Sequence, residues 1–415
     1  MKNIPLAVAL FFLSVVADAQ SSLSVTLAQT DSIFLKRNLM LLAQQYALDA
    51  QEALVIQARA YHNPTFTADV NAIDPQNDKV FHVGRTGQKV FSVEQLILLG
   101  GKRRAEINIA KQNRKIAALE LDDLLRSLRL QLHSSFFSLY QQRVVLEKYN
   151  RQLQVLDTLI ASYDVQARRG NLPLKDVIRL KSVYLKINNE RSTLATEHFE
   201  EQRRIQVLLQ GGEVIVPQIN GSLFDAFNRL PSYEVLRDSA SQHRPDLKIA
   251  YEETALSLLN VRLQKRNAIP DIALNGSYDQ RGGAFNDQVN VGISVPLPLW
   301  NRNRGNIKAA EYQNKSSELF QQQKKLEVET DVQAAWQNMN MSLGEYAKVK
   351  RYYSDDFELV FKGINDNFQK HNISILEFVD FFESYNESLA EYERVRNHLA
   401  TSALQINYVT ATQVY

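Results

Sequence analysis

Three acidic residues stand out for their type and spacing. Glu377 and Asp380 lie three apart, which puts both carboxylates on one face of a helix. They follow Asn372-Ile373-Ser374-Ile375-Leu376, a turn-like stretch that opens a helical pattern. Asp176 occupies the position matching Glu377 in an earlier copy of the same pattern. If the chain assembles around an axis, such carboxylates form rings, and a carboxylate ring in a narrow pore attracts cations and repels anions. Acidic residues in a first helical turn also complement the helix dipole, so a purely local explanation stands beside the pore.

Other chemistry is poorly supplied. The 415 residues include no cysteine, which removes disulfides, thiolate metal sites and cysteine nucleophiles. It also removes a lipid anchor on an N-terminal cysteine. The seven histidines are scattered; His133 and His198 fall within helical patterns and lack an i±4 partner for a ligand pair. Met339 and Met341 form no soft-metal cluster. Gly100-Gly101-Lys102 lacks the upstream glycine and the following Ser or Thr of a phosphate loop, and reads as a turn with a basic helix start. A net charge of +2 gives no electrostatic case for nucleic acid. We expect no catalytic residues, no metal site and no cofactor, and hence no enzyme.

The elements that would position the carboxylates are built twice. Residues 1–19 read as a secretory signal, with Lys2, an apolar core Leu6 to Val16, and Ala17-Asp18-Ala19 as the cleavage site. That core is too short to span a bilayer. No later segment is apolar for 18 residues, so residence in a membrane would require strands in a closed barrel. Self-comparison gives a first repeat over 20–210, a linker over 211–232 and a second repeat over 233–415.

Each repeat has the same order. A helix comes first, Asp31 to Tyr61 and Tyr233 to Asn267, ending just before a proline. Two strands of period-two alternation follow: Thr65 to Ala72 with Val90 to Leu98, and Asp271 to Asp279 with a return strand around Val289, Val291, Ile293 and Val295. Then comes a long helix, Lys102 to Arg168 and Arg304 to Gln369. Leu125, Leu132, Leu139, Leu146, Leu153 and Ile160 are seven apart, as are Val332, Met339, Tyr346, Tyr353 and Val360. Such heptads predict helix-on-helix packing with supercoil. A short turn leads into a return helix, Leu172 to Leu209 and Ser374 to Thr410, half the length of its partner. The short first helix can cover the remaining half.

Several segments stand in a telling order and spacing: His243-Arg244-Pro245-Asp246-Leu247, Ile269-Pro270-Asp271-Ile272, the stretch from Val295-Pro296-Leu297-Pro298-Leu299-Trp300 to Gly305, and Ile375 to Asp380. Together they resemble the TolC-type outer-membrane efflux factors, in their metal- and drug-efflux branch. The resemblance covers nearly the whole mature chain. It implies a mainly α fold with a membrane β-barrel: a homotrimer in the outer membrane, each chain giving four strands to a shared barrel, with long coiled-coil helices forming an α-barrel through the periplasm. It implies an exit duct whose partners are a periplasmic adaptor, an inner-membrane pump and outer-membrane lipid. The adaptor-contacting tips would be Arg169, Gly170, Asn171 and Leu172, and Lys370, His371, Asn372 and Ile373. Asp176, Glu377 and Asp380 would constrict the pore and bind cations. The chain departs from the family in having His371 where glycine is usual, and Ile373 where some members carry a basic residue that ties the tips. Two alternatives stay open: a soluble periplasmic coiled-coil scaffold, and the exit duct of a type I protein-secretion system. The cargo is not legible.

Overall fold

The computed structural model describes residues 22–282, 284–353, 356–370 and 372–415. The signal segment 1–19 and the tip residue His371 lie outside the described residues. The first half runs β1 (Ser22–Val25), α1 (Leu27–Arg37), α2 (Leu39–Ala58), β2 (Thr65–Val70), two two-residue strands β3 (Ile73–Asp74) and β4 (Lys79–Val80), β5 (Gln88–Ile97), α3 (Lys102–Arg168) and α4 (Leu174–Leu209). After β6 (Val214–Pro217) and a 3-10 turn (Gly221–Asn228) the order returns: α5 (Tyr233–His243), α6 (Pro245–Asn267), β7 (Ile272–Arg281), β8 (Phe285–Ser294), α7 (Arg304–Tyr352), α8 (Asp356–Gln369) and α9 (Ile375–Thr410). Among the described residues no helix is long and apolar enough to cross a membrane.

Neither first helix is continuous, contrary to the periodicity. The break falls at Asn38 in one copy and at Arg244 in the other; Asn38 is extended and Arg244, with ψ 120°, is not helical. These residues are 206 positions apart, the same spacing as Pro64 and Pro270, so the break belongs to the duplicated fold. Different chemistry makes it in each copy. The Asn38 side chain accepts from the Leu41 amide at 3.1 Å and donates to the Leu208 carbonyl at 2.9 Å, capping α2. Arg244 precedes Pro245, which disfavours a helical residue before it. The buried Arg244 guanidinium is held by Asp246 at 2.7 Å and Asp331 at 3.0 Å.

At 67 residues and 1.5 Å per residue, α3 is about 100 Å long. Both α2 and α4 pack along it, and α6 and α9 pack along α7. The second long helix departs from expectation: α7 stops at Tyr352, and Tyr353 is extended. The Tyr353 ring stacks on Tyr392 at 4.3 Å and on Phe357 at 4.7 Å. Heptad spacing carries Tyr353 as one more seam residue, but aromatic stacking with α9 holds it out of the helix.

The segment read as a linker is partly built into the core. β6 pairs in parallel with β1, Ser22 opposite Val214. Phe224 and Phe227 are buried and meet Phe137 of α3 edge to face, at 6.2 and 6.3 Å.

The four main strands form one antiparallel sheet in the order β2-β5-β7-β8, so β5 and β7 join the two copies. β5, β7 and β8 have ten residues each, near the length that crosses a tilted barrel wall. β2 has six, shorter than its alternation suggested. The register sorts the side chains by face. Ala68, Phe91, Tyr278 and Val289 form one row, and Phe66, Val93, Gly276 and Val291 the next. The row between them, on the opposite face, is Thr67, Ser92, Ser277 and Asn290. The apolar face packs against nothing among the described residues: Phe66 is 66% exposed and Val291 90%. Strands β2 and β8 each have one edge without a partner strand among the described residues.

Candidate functional site: the helical tips and the strand–helix seam

The two tips are made by the same hydrogen bonds. After α3, Gly170 takes a left-handed conformation (φ 78°), which suits glycine. The Asn171 amide donates to the Gln166 carbonyl at 3.0 Å, and its side chain donates to the Gln166 side chain at 2.8 Å. After α8, the Asn372 amide donates to the Asn367 carbonyl at 2.9 Å, and its side chain to Asn367 Oδ1 at 3.1 Å. A bond reaching five residues back closes a Schellman-type helix end. The pattern flanking His371 therefore matches the pattern around Gly170. Arg169, Gly170, Asn171, Lys370 and Asn372 are exposed, whereas Leu172 and Ile373 are half-buried on the apolar cluster behind the tips.

That cluster is an aromatic ladder. Tyr163 stacks on Phe368 at 5.5 Å, Phe368 on Phe378 at 4.1 Å, and Phe378 meets Phe382 at 5.3 Å. It ties α3 and α8 to α9 just above the turns. Rings of this size dominate core energetics because each buries a large apolar area. Heptad spacing does not reveal the ladder, because its members on α9 follow no seven-residue series with Tyr163.

The three carboxylates are placed differently. Glu377 closes a capping box on Ser374: Ser374 N and Oγ each donate to Glu377 Oε2 at 2.8 Å, and the Glu377 amide donates to Ser374 Oγ at 3.3 Å. The Ser374 amide, followed by its hydroxyl, holds the Glu377 carboxyl below its ordinary range. Asp176 sits in the first turn of α4, half-buried. Burial, and after it the Asp176 charge, raises the Tyr163 hydroxyl pKa, which puts Asp176 near the ladder. Asp380 is exposed and has no hydrogen-bond or ion-pair partner among the described residues.

Asp176 is on α4 and the other two are on α9, and a contact absent from the sequence reading ties these helices. Lys186 of α4 reaches Glu383 at 3.4 Å and Glu387 at 3.3 Å. Glu377, Asp380, Glu383 and Glu387 follow one another at three, three and four residues, a continuous acidic face. That spacing was visible in the chain; the lysine opposite it, 197 residues before Glu383, was not.

At the other end of the helices, each strand turns into its long helix through left-handed backbone, at Gly100 (φ 65°) and Gly101 in the first copy and at Asn303 in the second. Gly101 (φ 72°) does this before α3 and Asn303 (φ 58°) before α7, and Asn is the non-glycine residue that most readily takes this conformation. The Asn303 side chain also donates to the Gln264 carbonyl at 2.7 Å. Beside Gly101, the buried Lys102 pairs with Asp271 at 2.8 Å, and Asp271 accepts the Leu99 amide at 2.9 Å. Thus the start of β7 is locked to the end of β5. Prolines are not needed for the joint, which explains why the first copy manages it with Gly100-Gly101.

A single sheet layer with one bare apolar face, continued by long helical hairpins with matched tips, has a known counterpart. Residues 236–350 match the family described as outer membrane efflux protein. The cobalt-zinc-cadmium resistance protein CzcC of Cupriavidus metallidurans is 23% identical over 391 residues, covering 93% of this chain and 90% of that one. The Campylobacter jejuni CmeC outer membrane channel superposes with a TM-score of 0.75 at 12% identity, over 100% of this chain and 95% of that one. The open state of the Neisseria gonorrhoeae MtrE outer membrane channel gives 0.67 at 15% identity, over 94% and 89%. The fold is that of an outer-membrane efflux channel. The resemblance to TolC-type efflux factors read from the sequence is thereby shown. In this channel fold the sheet is the chain's portion of a barrel, and the paired helices are its portion of a tunnel.

Proposed function

We propose that this protein is the exit duct of a tripartite efflux system in the outer membrane. Three copies close the barrel by pairing β8 of one with β2 of the next, and the helices carry the conduit through the periplasm. The exposed tip residues Arg169, Gly170, Asn171, Lys370 and Asn372, together with His371, meet a periplasmic adaptor, with Leu172 and Ile373 supporting the exposed residues from behind. An inner-membrane pump supplies the energy; the duct itself is passive and catalyses no reaction. Asp176, Glu377 and Asp380 make the narrow end cation-selective. The carrying observation is the apolar sheet face, bare across four strands, with unpaired edges on both sides. A soluble scaffold would need protein against that face, and the described residues provide none.

The likeness to CzcC, whose name records cobalt, zinc and cadmium resistance, supports metal cations among the cargo, and the acidic face of α9 suits them. Small molecules remain within the same reading. Chemical crosslinking in native membranes tests the assembly. A trimer in the detergent-extracted outer-membrane fraction is expected; a monomer recovered without detergent contradicts it.

A further inference from the structure

We propose that the groove between α6 and α7, just below the sheet, binds the head group of an anionic phospholipid from the leaflet that faces the helices. The proposal rests on the outer-membrane reading and adds a specific lipid contact to it. The bare sheet face runs down to Leu297, Leu299 and Trp300, of which Trp300 is 93% exposed. Exposed aromatic rings mark the edge of the apolar band in barrels of this kind. Immediately below lies a groove of about 430 Å³ with Leu258, Val261 and Lys265 on one wall and Lys308, Tyr312 and Lys315 on the other. Leu258 and Val261 make part of it apolar, and its three lysines outnumber its two glutamates, Glu311 and Glu318, a lining that suits a phosphate joined to a hydrocarbon chain.

The charges in the groove are not used up internally. Lys265 pairs with Glu311 at 2.9 Å. Lys308 and Lys315 form no ion pair among the described residues; their ammonium groups lie 5.8 and 5.9 Å from the Tyr312 ring. Lys265 first, with Lys315 and Lys308 adding to it, holds the Glu311 carboxyl below its ordinary range, so three ammonium groups converge on one carboxylate. Glu318, a turn further from the sheet, is engaged by the Asn314 amide at 2.7 Å. Arg304, Lys308 and Lys315 are spaced four and seven apart and share a face of α7.

The duplication supplies a control. At the spacing that relates Gly101 to Asn303, the positions matching Arg304, Lys308, Tyr312 and Lys315 are Lys102, Glu106, Ala110 and Asn113. Lys102 is buried against Asp271, and the rest are not basic. The fold therefore stands without this basic groove.

The test is lipid retention by the full-length protein in nanodiscs of phosphatidylcholine with or without phosphatidylglycerol, read by native mass spectrometry. The wild type is expected to retain phosphatidylglycerol in preference. The double variant Lys308→Gln, Lys315→Gln should lose that preference by roughly fivefold for each lysine removed, and Lys308→Arg, Lys315→Arg should keep it. Equal retention by the wild type and the Gln variant overturns the proposal, as does loss of preference in the Arg variant. Retention abolished by millimolar inorganic phosphate would assign the groove to free phosphate and also overturn it. Failure of the wild type to insert into phosphatidylcholine alone would remove the membrane reading itself, and this proposal with it. Insertion without lipid preference removes only the proposal.

Discussion

Glu377 has two roles that mutagenesis can confuse. It caps α9 through Ser374, and under the proposed function it also charges the pore. Asp380, one turn on, has only the second role available, because nothing among the described residues engages it. Asp380→Asn is therefore the cleaner probe. We expect it to weaken divalent-cation block of single-channel current while leaving α9 amide exchange unchanged; unchanged block would remove Asp380 from the gate. Ser374→Ala should do the reverse, loosening the first turn of α9 by about 1 kcal/mol, read as faster amide exchange at residues 375–378. The cap also carries a pH dependence. Its contribution from Glu377 is present above the ordinary carboxylate range, and it is lost as pH falls through the depressed native value. The pair Glu377 and Asp380 was legible because helical spacing is a local property. Lys186 opposite Glu383 and Glu387 was not, because a contact between helices of different repeats leaves no periodic trace.

At the scale of elements, period-two alternation found all four main strands, and heptads from Leu125 to Ile160 marked α3, whose expected bounds of Lys102 to Arg168 the structure matches. Both patterns are set by burial on one face, which sequence records directly. The breaks escaped for physical reasons. Asn38 ends a helix through a cap whose second partner is the Leu208 carbonyl, far away in the chain. Tyr353 fits the heptad, and only its stacking on Tyr392 reveals the break. Arg244-Pro245 did carry a warning, since proline disfavours helix at the residue before it. The pairing of β1 with β6 was also hidden, because four-residue strands are too short to show a period. The seam at Lys102 gives a prediction at this scale. Removing one partner of a buried ion pair costs on the order of 3–5 kcal/mol. Asp271 keeps partial access to water, which sets Lys102→Ala at the lower end, about 3 kcal/mol. The expected result is a lower temperature of trimer dissociation on heated SDS gels, while Arg304→Ala at the corresponding unlocked seam shifts it little. Equal shifts would contradict the lock.

For the whole molecule, the proposed function makes the segment from Pro296 to Gly305 the place where two solvents meet. Above it one sheet face is apolar and bare; below it the helices are amphipathic and capped for water. The central claim is that the bare face meets lipid. Val291 and Asn290 are adjacent on β8 and point to opposite faces of the sheet. Arginine at a lipid-facing barrel position costs about 2–4 kcal/mol near the bilayer centre, whereas the lumen face tolerates charge. The direct measurement is the amount of trimer assembled in the outer membrane for Val291→Arg against Asn290→Arg. The account predicts a strong loss for Val291→Arg and near-normal assembly for Asn290→Arg. Equal assembly of the two variants, or a loss confined to Asn290→Arg, would contradict it.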